Sequence, residues 1–317
     1  MKTYKNSLLT VLFICALMPV SAQINKNIVE LLNAKNPESF KELDLSNKKL
    51  GKLPPEIGRF INIEKLFLSN NNLQSLPIEI SQLTKLKELY LNNNLFLRFP
   101  VEVCKITSLE RLDFQRNKME SLSPNISNLI KLKKLDLSTN QITEIPLEIE
   151  KLSKLFDLNL FDNKIVVIPL EIGKLLSLNC LNLGKNKIQQ IPNTIGNLKS
   201  LTILNLNENK IEVIPSEIGK LIKLKTFSIE KNLIKKLAPE VGKITSLAKL
   251  DLDENQLITL PNEIINLVNL QELYLGGNAL TVIPESLYLF LVKLEYGQSE
   301  EVKHIIKINE TKKLTLK

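Results

Sequence analysis

Residues 201–223 read LTILNLNENKIEVIPSEIGKLIK, and two apolar periodicities meet inside this one stretch. Leu204 and Leu206 alternate with polar neighbours, the period of a strand that turns one face inward. Ile218 and Leu221 stand three apart, which puts them on one side of a short helical turn. Pro215, between the two halves, sets an extended φ and stops the strand. The stretch is therefore a strand followed by a short helical return, too small to bury its own apolar side.

The same pattern repeats in both directions every 23 residues without an insertion. Units begin at Phe40, Ile63, Leu86, Leu109, Leu132, Leu155, Leu178, Leu201, Leu224, Leu247 and Leu270, and each follows LxxLxLxxNxLxxLPxEIGxLxx. Stacked units lay their strands side by side in one direction, about 4.8 Å apart, so eleven make a face roughly 50 Å long. The expected class is α/β: a solenoid with a parallel concave β-sheet and short helical or 3-10 turns on its convex side. The absence of Trp and the low Gly count suit many like units better than one irregular core.

The ninth position is Asn in ten of the eleven units. An inward amide donates and accepts, so it can satisfy backbone groups where the chain leaves the sheet. The first unit has Lys48 there, expected to face solvent at the open end. Pro holds position fifteen except at Ser123 and Ala238. Glu at seventeen and Lys or Arg at twenty, as in Glu148/Lys151 and Glu171/Lys174, are expected to pair across the helical turn. Phe40, Phe60, Phe96, Phe99, Phe114, Phe227 and Phe290 fall on apolar consensus positions and read as core.

The ends differ from the repeats. Residues 1–22 carry Lys2 and Lys5, an apolar run from Leu8 to Val20, then Ser21-Ala22. They read as a secretory signal cleaved after Ala22, since the run is shorter than the roughly 20 residues a membrane span needs. Lipid attachment at Cys15 is an alternative, disfavoured by the bulky Ile14. Cleavage would lower the net charge from +8 to +6, because Lys2 and Lys5 leave. Residues 23–39, with Ile28, Leu31 and Leu32 at helical spacing, read as an amphipathic N-terminal cap. Residues 40–292 are the eleven units, and residues 293–317 are a C-terminal cap and tail expected to cover the last strand.

The unit pattern is that of the leucine-rich repeat, a horseshoe solenoid. With the signal-like start and the segment NPESFKELDLSNKKL at residues 36–50, the chain resembles the secreted leucine-rich-repeat proteins that spirochaetes carry as large paralogous sets. The resemblance implies a surface or released factor that attaches to host proteins, glycans or cells. The cysteine-rich caps of animal extracellular relatives and the catalytic ubiquitin-ligase domain of some bacterial effectors are missing.

Little in the chain suits catalysis. One histidine, His304, lies in the tail, which disfavours hydrolytic triads, His-based metal sites and most acid-base schemes. No phosphate-binding glycine loop is present, and Gly276-Gly277 reads as a tight strand exit. CxxC zinc spacing is missing. Asp251 and Asp253 are expected on the concave face as a solvated pair. Cys104 and Cys180 fall in the third and seventh units, too far apart to bridge. The pI near 9.1 raises nucleic acid, but the lysines are scattered and matched by glutamates, with no basic stripe. No enzyme, cofactor, metal, nucleic-acid or membrane-spanning role is therefore expected.

Positions three, five and seven point out of the sheet and are the places where binding can sit. Phe67, Tyr90 and Tyr274 stand at position five and Phe161 at seven, where folding demands no apolar group, so they read as interface anchors. Phe67 and Tyr90 lie on neighbouring strands and should touch; a purely structural cross-strand pair is the alternative. A second patch combines Phe161, Cys180 and Ile203 with the amides Asn159, Asn182 and Asn205, which are expected to point to solvent. An apolar centre ringed by amides fits a protein ligand, from a host or a cell surface, or a glycan. Phe156, at position two, sits at the strand start with its burial undecided. Position three alternates Glu42, Lys65, Glu88 and Arg111, which reads as cross-strand charge pairing.

Overall fold

The computed structural model describes residues 35–281 together with Leu287 and Phe290. The signal segment, the cap residues Ile28, Leu31 and Leu32, Pro284 and the tail with His304 lie outside the described residues. The described end of the cap segment is a 3-10 turn, Pro37–Ser39.

Each unit contributes one three-residue strand: β1 (Glu42–Asp44), β2 (Lys65–Phe67), β3 (Glu88–Tyr90), β4 (Arg111–Asp113), β5 (Lys134–Asp136), β6 (Asp157–Asn159), β7 (Cys180–Asn182), β8 (Ile203–Asn205), β9 (Thr226–Ser228), β10 (Lys249–Asp251) and β11 (Glu272–Tyr274). They form one sheet in chain order, every neighbour parallel and paired 23 residues on, as in Leu181↔Leu204. The core is a stack of equivalent layers. In the unit from 201 these are Leu201, Leu204, Leu206, Ile211, Ile214, Ile218 and Leu221, all buried. Phe60, Phe96, Phe99, Phe114 and Phe227 are buried too, while Phe40 and Phe290 pack against the core from its two ends.

The ninth-position asparagines knit the layers together. Asn209 donates through Nδ2 to the carbonyls of Leu183 and Leu206, both at 3.0 Å, and accepts at Oδ1 from Ile188 N–H at 2.9 Å. The same pattern recurs from Asn71 to Asn278. Lys48, which lacks a preceding unit, is exposed as expected.

Just before the ninth position, the eighth residue takes a left-handed backbone in all eleven units, with φ between 49° at Glu254 and 65° at Gly277. Ten of these residues carry a side chain, including β-branched Thr139 at φ 55°. This conformation costs an L-residue roughly 1–2 kcal/mol. The stacking enforces it: in most units the eighth N–H donates to the seventh carbonyl of the next unit, as Thr139 does to Phe161 at 2.8 Å. Gly276-Gly277 is the tight strand exit the sequence suggests.

The convex returns of the first ten units are 3-10 turns, such as Ser216–Lys220. They stack so closely that a Cβ on Gly173, Gly196, Gly219 or Gly242 would overlap the backbone carbonyl of the next turn. The expected Glu–Lys pairing within a turn is corrected: among the described residues no position-seventeen Glu is ion-paired with the position-twenty Lys of its own turn. Lys151 and Lys174 both bind Glu150, at 2.9 and 2.5 Å, rather than Glu148 and Glu171. Glu150 stands where five other units have Gly, between the stacked turns and within reach of both ammonium groups, which hold its carboxyl down at about 2.

A charge ladder that sequence reasoning missed runs along position two. Lys87 reaches Glu64 at 2.7 Å, Lys133 reaches Glu110 at 2.7 Å, and Lys41 stands 3.9 Å from Glu64. Phe156 ends that ladder and is 48% exposed. The position-three ladder is also present, with Lys65 at 3.0 Å from Glu42 and 3.9 Å from Glu88.

Candidate functional site

Strand alternation puts positions three and five on the concave face, and the third such row, position seven, lies at the strand exit. At its N-terminal end Phe67 and Tyr90 are cross-strand partners, stacked with centroids 4.8 Å apart and planes 9° from parallel. The Arg111 guanidinium lies 5.1 Å from the Tyr90 ring centroid, a cation–π distance. Tyr90 Oη donates to Glu88 Oε2 at 2.5 Å. Burial, then this bond to a carboxylate, push the phenol up to about 12, so it stays protonated and neutral. Phe67, Tyr90 and Arg111 thus form a rigid row across β2, β3 and β4. The sequence supplied its two rings; Arg111 was read only as a member of the charge alternation.

The second patch also assembles. Cys180 pairs with Ile203 and Asn159, Asn182 and Asn205 follow one another in register. Ile203 is 41% exposed and the others are half-buried. Burial, with Asp157 beside it, pushes the Cys180 thiol up to about 11, so it is a small apolar surface and no nucleophile. Cys104 is buried, its thiol pushed to about 12, and neither sulfur is in a disulfide.

Two expectations are corrected here. The amides do not simply point to solvent: Asn159, Asn182 and Asn205 accept at Oδ1 from the N–H two residues on, at 3.2, 3.2 and 2.9 Å. Asp113 and Asp136 do the same at 2.9 Å. Position five therefore favours Asn or Asp for a local reason, closing the strand exit. Phe161 likewise has a packing role, because its ring lies 3.1 Å from where a Gly184 Cβ would stand. It covers a buried glycine beside Asn205.

Between the two patches lies a hollow of about 150 Å³ lined by Arg111, Lys134, Asp136, Asp157, Asn159, Cys180 and Asn182. It joins them into one track from β2 to β8 whose centre carries both signs of charge. Asn159 Nδ2 donates to Asp136 Oδ2 at 3.0 Å. Tyr274 lies apart on β11, under the Lys249 ammonium at 4.6 Å, with its Oη 3.0 Å from Glu272. Nearby, Asp251 and Asp253 are half-buried rather than freely solvated. Burial raises both carboxyls, and Asp253 accepts from Gly276 N–H at 2.6 Å. Among the described residues no group of His, Cys, Asp and Glu could hold a metal ion, and no helix is long and apolar enough to cross a membrane.

This geometry belongs to the leucine-rich-repeat class, and the comparisons with known proteins agree. Leucine-rich-repeat family models match residues 38–96, 113–207, 200–221 and 222–280. A leucine-rich-repeat protein of Leptospira interrogans is 30% identical over 84% of this chain and 86% of that one, with a TM-score of 0.50. The chain is a member of the leucine-rich-repeat family. The plant peptide hormone receptor RGFR1, solved in complex with RGF2, is 30% identical over 72% of this chain, with a TM-score of 0.66. This chain spans 38% of that receptor. An internalin of Listeria monocytogenes shares the fold at 23% identity, covering 90% of this chain and 99% of its own, with a TM-score of 0.62. No curated protein sequence matches the chain significantly.

Proposed function

We propose that this protein is an exported, surface-displayed or released binding module that docks a host or cell-surface protein on the β2–β8 track of its concave face. The observation that carries the reading is the Phe67–Tyr90–Arg111 row: two stacked rings and a guanidinium at 4.8 and 5.1 Å, held in place at a half-exposed surface. Rigid aromatics and Arg concentrate binding energy in protein interfaces. The mixed charges of the adjoining hollow favour a polar macromolecule and supply orientation. Export rests on residues 1–22 and on the resemblance to secreted spirochaete proteins. Membership of a family that includes a receptor solved with its peptide hormone supports the protein-binding reading.

A glycan is the second reading, favoured by the amide row Asn159, Asn182 and Asn205 beside Phe161. Against it, the three Oδ1 atoms are already engaged by backbone N–H groups. A pull-down against host extracellular proteins, run beside a glycan array, decides between them. Protein capture lost in Tyr90→Ala supports the proposal; capture by glycans alone overturns it.

A further inference from the structure

The flank between the sheet and the convex turns carries a pattern that the concave face does not use. Position thirteen of units four to ten reads Ser121, Glu144, Val167, Gln190, Val213, Lys236 and Thr259, and all seven are exposed. Val167 and Val213 are 67% and 70% exposed. Around the central Gln190 the row is self-complementary: valine answers valine, Glu144 answers Lys236, and the hydroxyl of Ser121 answers that of Thr259. Neither Glu144 nor Lys236 forms an ion pair with another described residue.

Hollows of about 600 and 540 Å³ lie on the two sides of Gln189 and Gln190. The first is lined mainly by apolar side chains, Leu147, Val166, Val167 and Leu170, while the second carries Lys210 and Glu212 beside Val213, Pro215 and Leu233.

We infer that this flank pairs with the same flank of a second copy of the chain, antiparallel, about a two-fold axis that crosses the row at Gln190. A two-fold contact must be isologous, each residue i meeting j while j meets i. The row satisfies that rule across seven units, roughly 30 Å at the strand spacing. Val167 of one copy then packs on Val213 of the other, on both sides of a Gln190–Gln190 contact. Glu144 and Lys236 pair twice at the rim, which fixes the antiparallel sense and excludes the parallel one. The concave track of each copy stays open, so the pairing is independent of the binding role and makes it bivalent.

Sedimentation of the purified protein from about 1 to about 100 µM tests the inference. The expected result is a species of twice the mass of the purified chain that weakens as salt is raised. Val167→Asp should weaken association at least tenfold without lowering the melting temperature. Glu144→Lys and Lys236→Glu should each weaken it, and the double swap should restore it to within a fewfold of the parent. In a Cys180→Ser background, Gln190→Cys should form a disulfide-linked pair under mild oxidant. Ser121→Cys, which faces Thr259 of the other copy, should not. A monomer throughout the range, a dimer indifferent to the single reversals, or a double swap that fails to restore it overturns the inference.

Discussion

Asn209→Ala and Asn205→Ala remove the same amide from neighbouring turns of one unit, yet the structure assigns them different costs. Asn209 is buried and its Oδ1 takes the N–H of Ile188 at 2.9 Å. Its Nδ2 donates to the Leu183 and Leu206 carbonyls, but each of these also accepts from a second ladder residue, Asn186 or Asn232, at 3.0 Å. Truncation therefore leaves both carbonyls satisfied and orphans one buried N–H. One such donor costs about 1–3 kcal/mol, and the lost donors and the small void put the total near about 3. Asn205 accepts one bond, from Asn207 N–H at 2.9 Å, at a half-buried site that water can reach. Its loss should cost about 0.5–1.5 kcal/mol. Urea unfolding followed by circular dichroism measures both, and hydrogen exchange at the Ile188 amide reports the orphaned group directly. Equal costs, or an Ile188 amide as protected as in the parent, would refute the reasoning.

Thr139→Gly should stabilise the fold by about 0.5–1 kcal/mol, since glycine removes the left-handed strain at φ 55° and gives back part of the gain as chain entropy. Gly277→Ala, at φ 65° and with Glu254 Cγ 3.0 Å from the new Cβ, should destabilise by about 1 kcal/mol or more. Melting temperatures of opposite sign check the pair. Leu204→Ala opens a cavity between two neighbouring layers and should cost about 2–5 kcal/mol in the same unfolding assay. Burial holds the Asp113 carboxyl above its usual range, so the folded state binds that proton more tightly than the unfolded chain does. Stability is then lost as pH rises through that window. Asp113→Asn keeps the acceptor for Gln115 N–H and should raise the melting temperature at neutral pH. The gain should vanish below about pH 3.9, where both forms are neutral.

The fold was legible because a 23-residue period that never slips fixes which positions face inward, and the buried layers fall on those positions. The Asn row was legible for the same reason: an amide repeated at a strand exit has a backbone task. What stayed hidden is what stacking imposes on local chemistry. The left-handed eighth position accepts Arg116, Thr139 and Glu208 because a bond to the next unit enforces it, so no glycine signal marks it. Most ion pairs run between units because residues one layer apart are closer than the sequence separation suggests. Of the candidate site, the rings of Phe67 and Tyr90 could be read from their outward positions. Arg111 over Tyr90 and the hollow beside it needed the side-chain directions on neighbouring strands, and Phe161 needed its neighbour Gly184 to be recognised as packing.

The central claim is that the partner docks on the concave face and that its energy concentrates on the Phe67–Tyr90–Arg111 row. With a captured partner in hand, its affinity should be measured for Phe67→Ala and Tyr90→Ala, each at an unchanged melting temperature, beside the convex-side reversal Lys220→Glu. The account predicts a loss of about 2 kcal/mol or more, roughly thirtyfold, for each aromatic truncation. It predicts a change in salt dependence alone for Lys220→Glu. Parent-like binding by both aromatic variants, with binding abolished by the convex substitution, would contradict it.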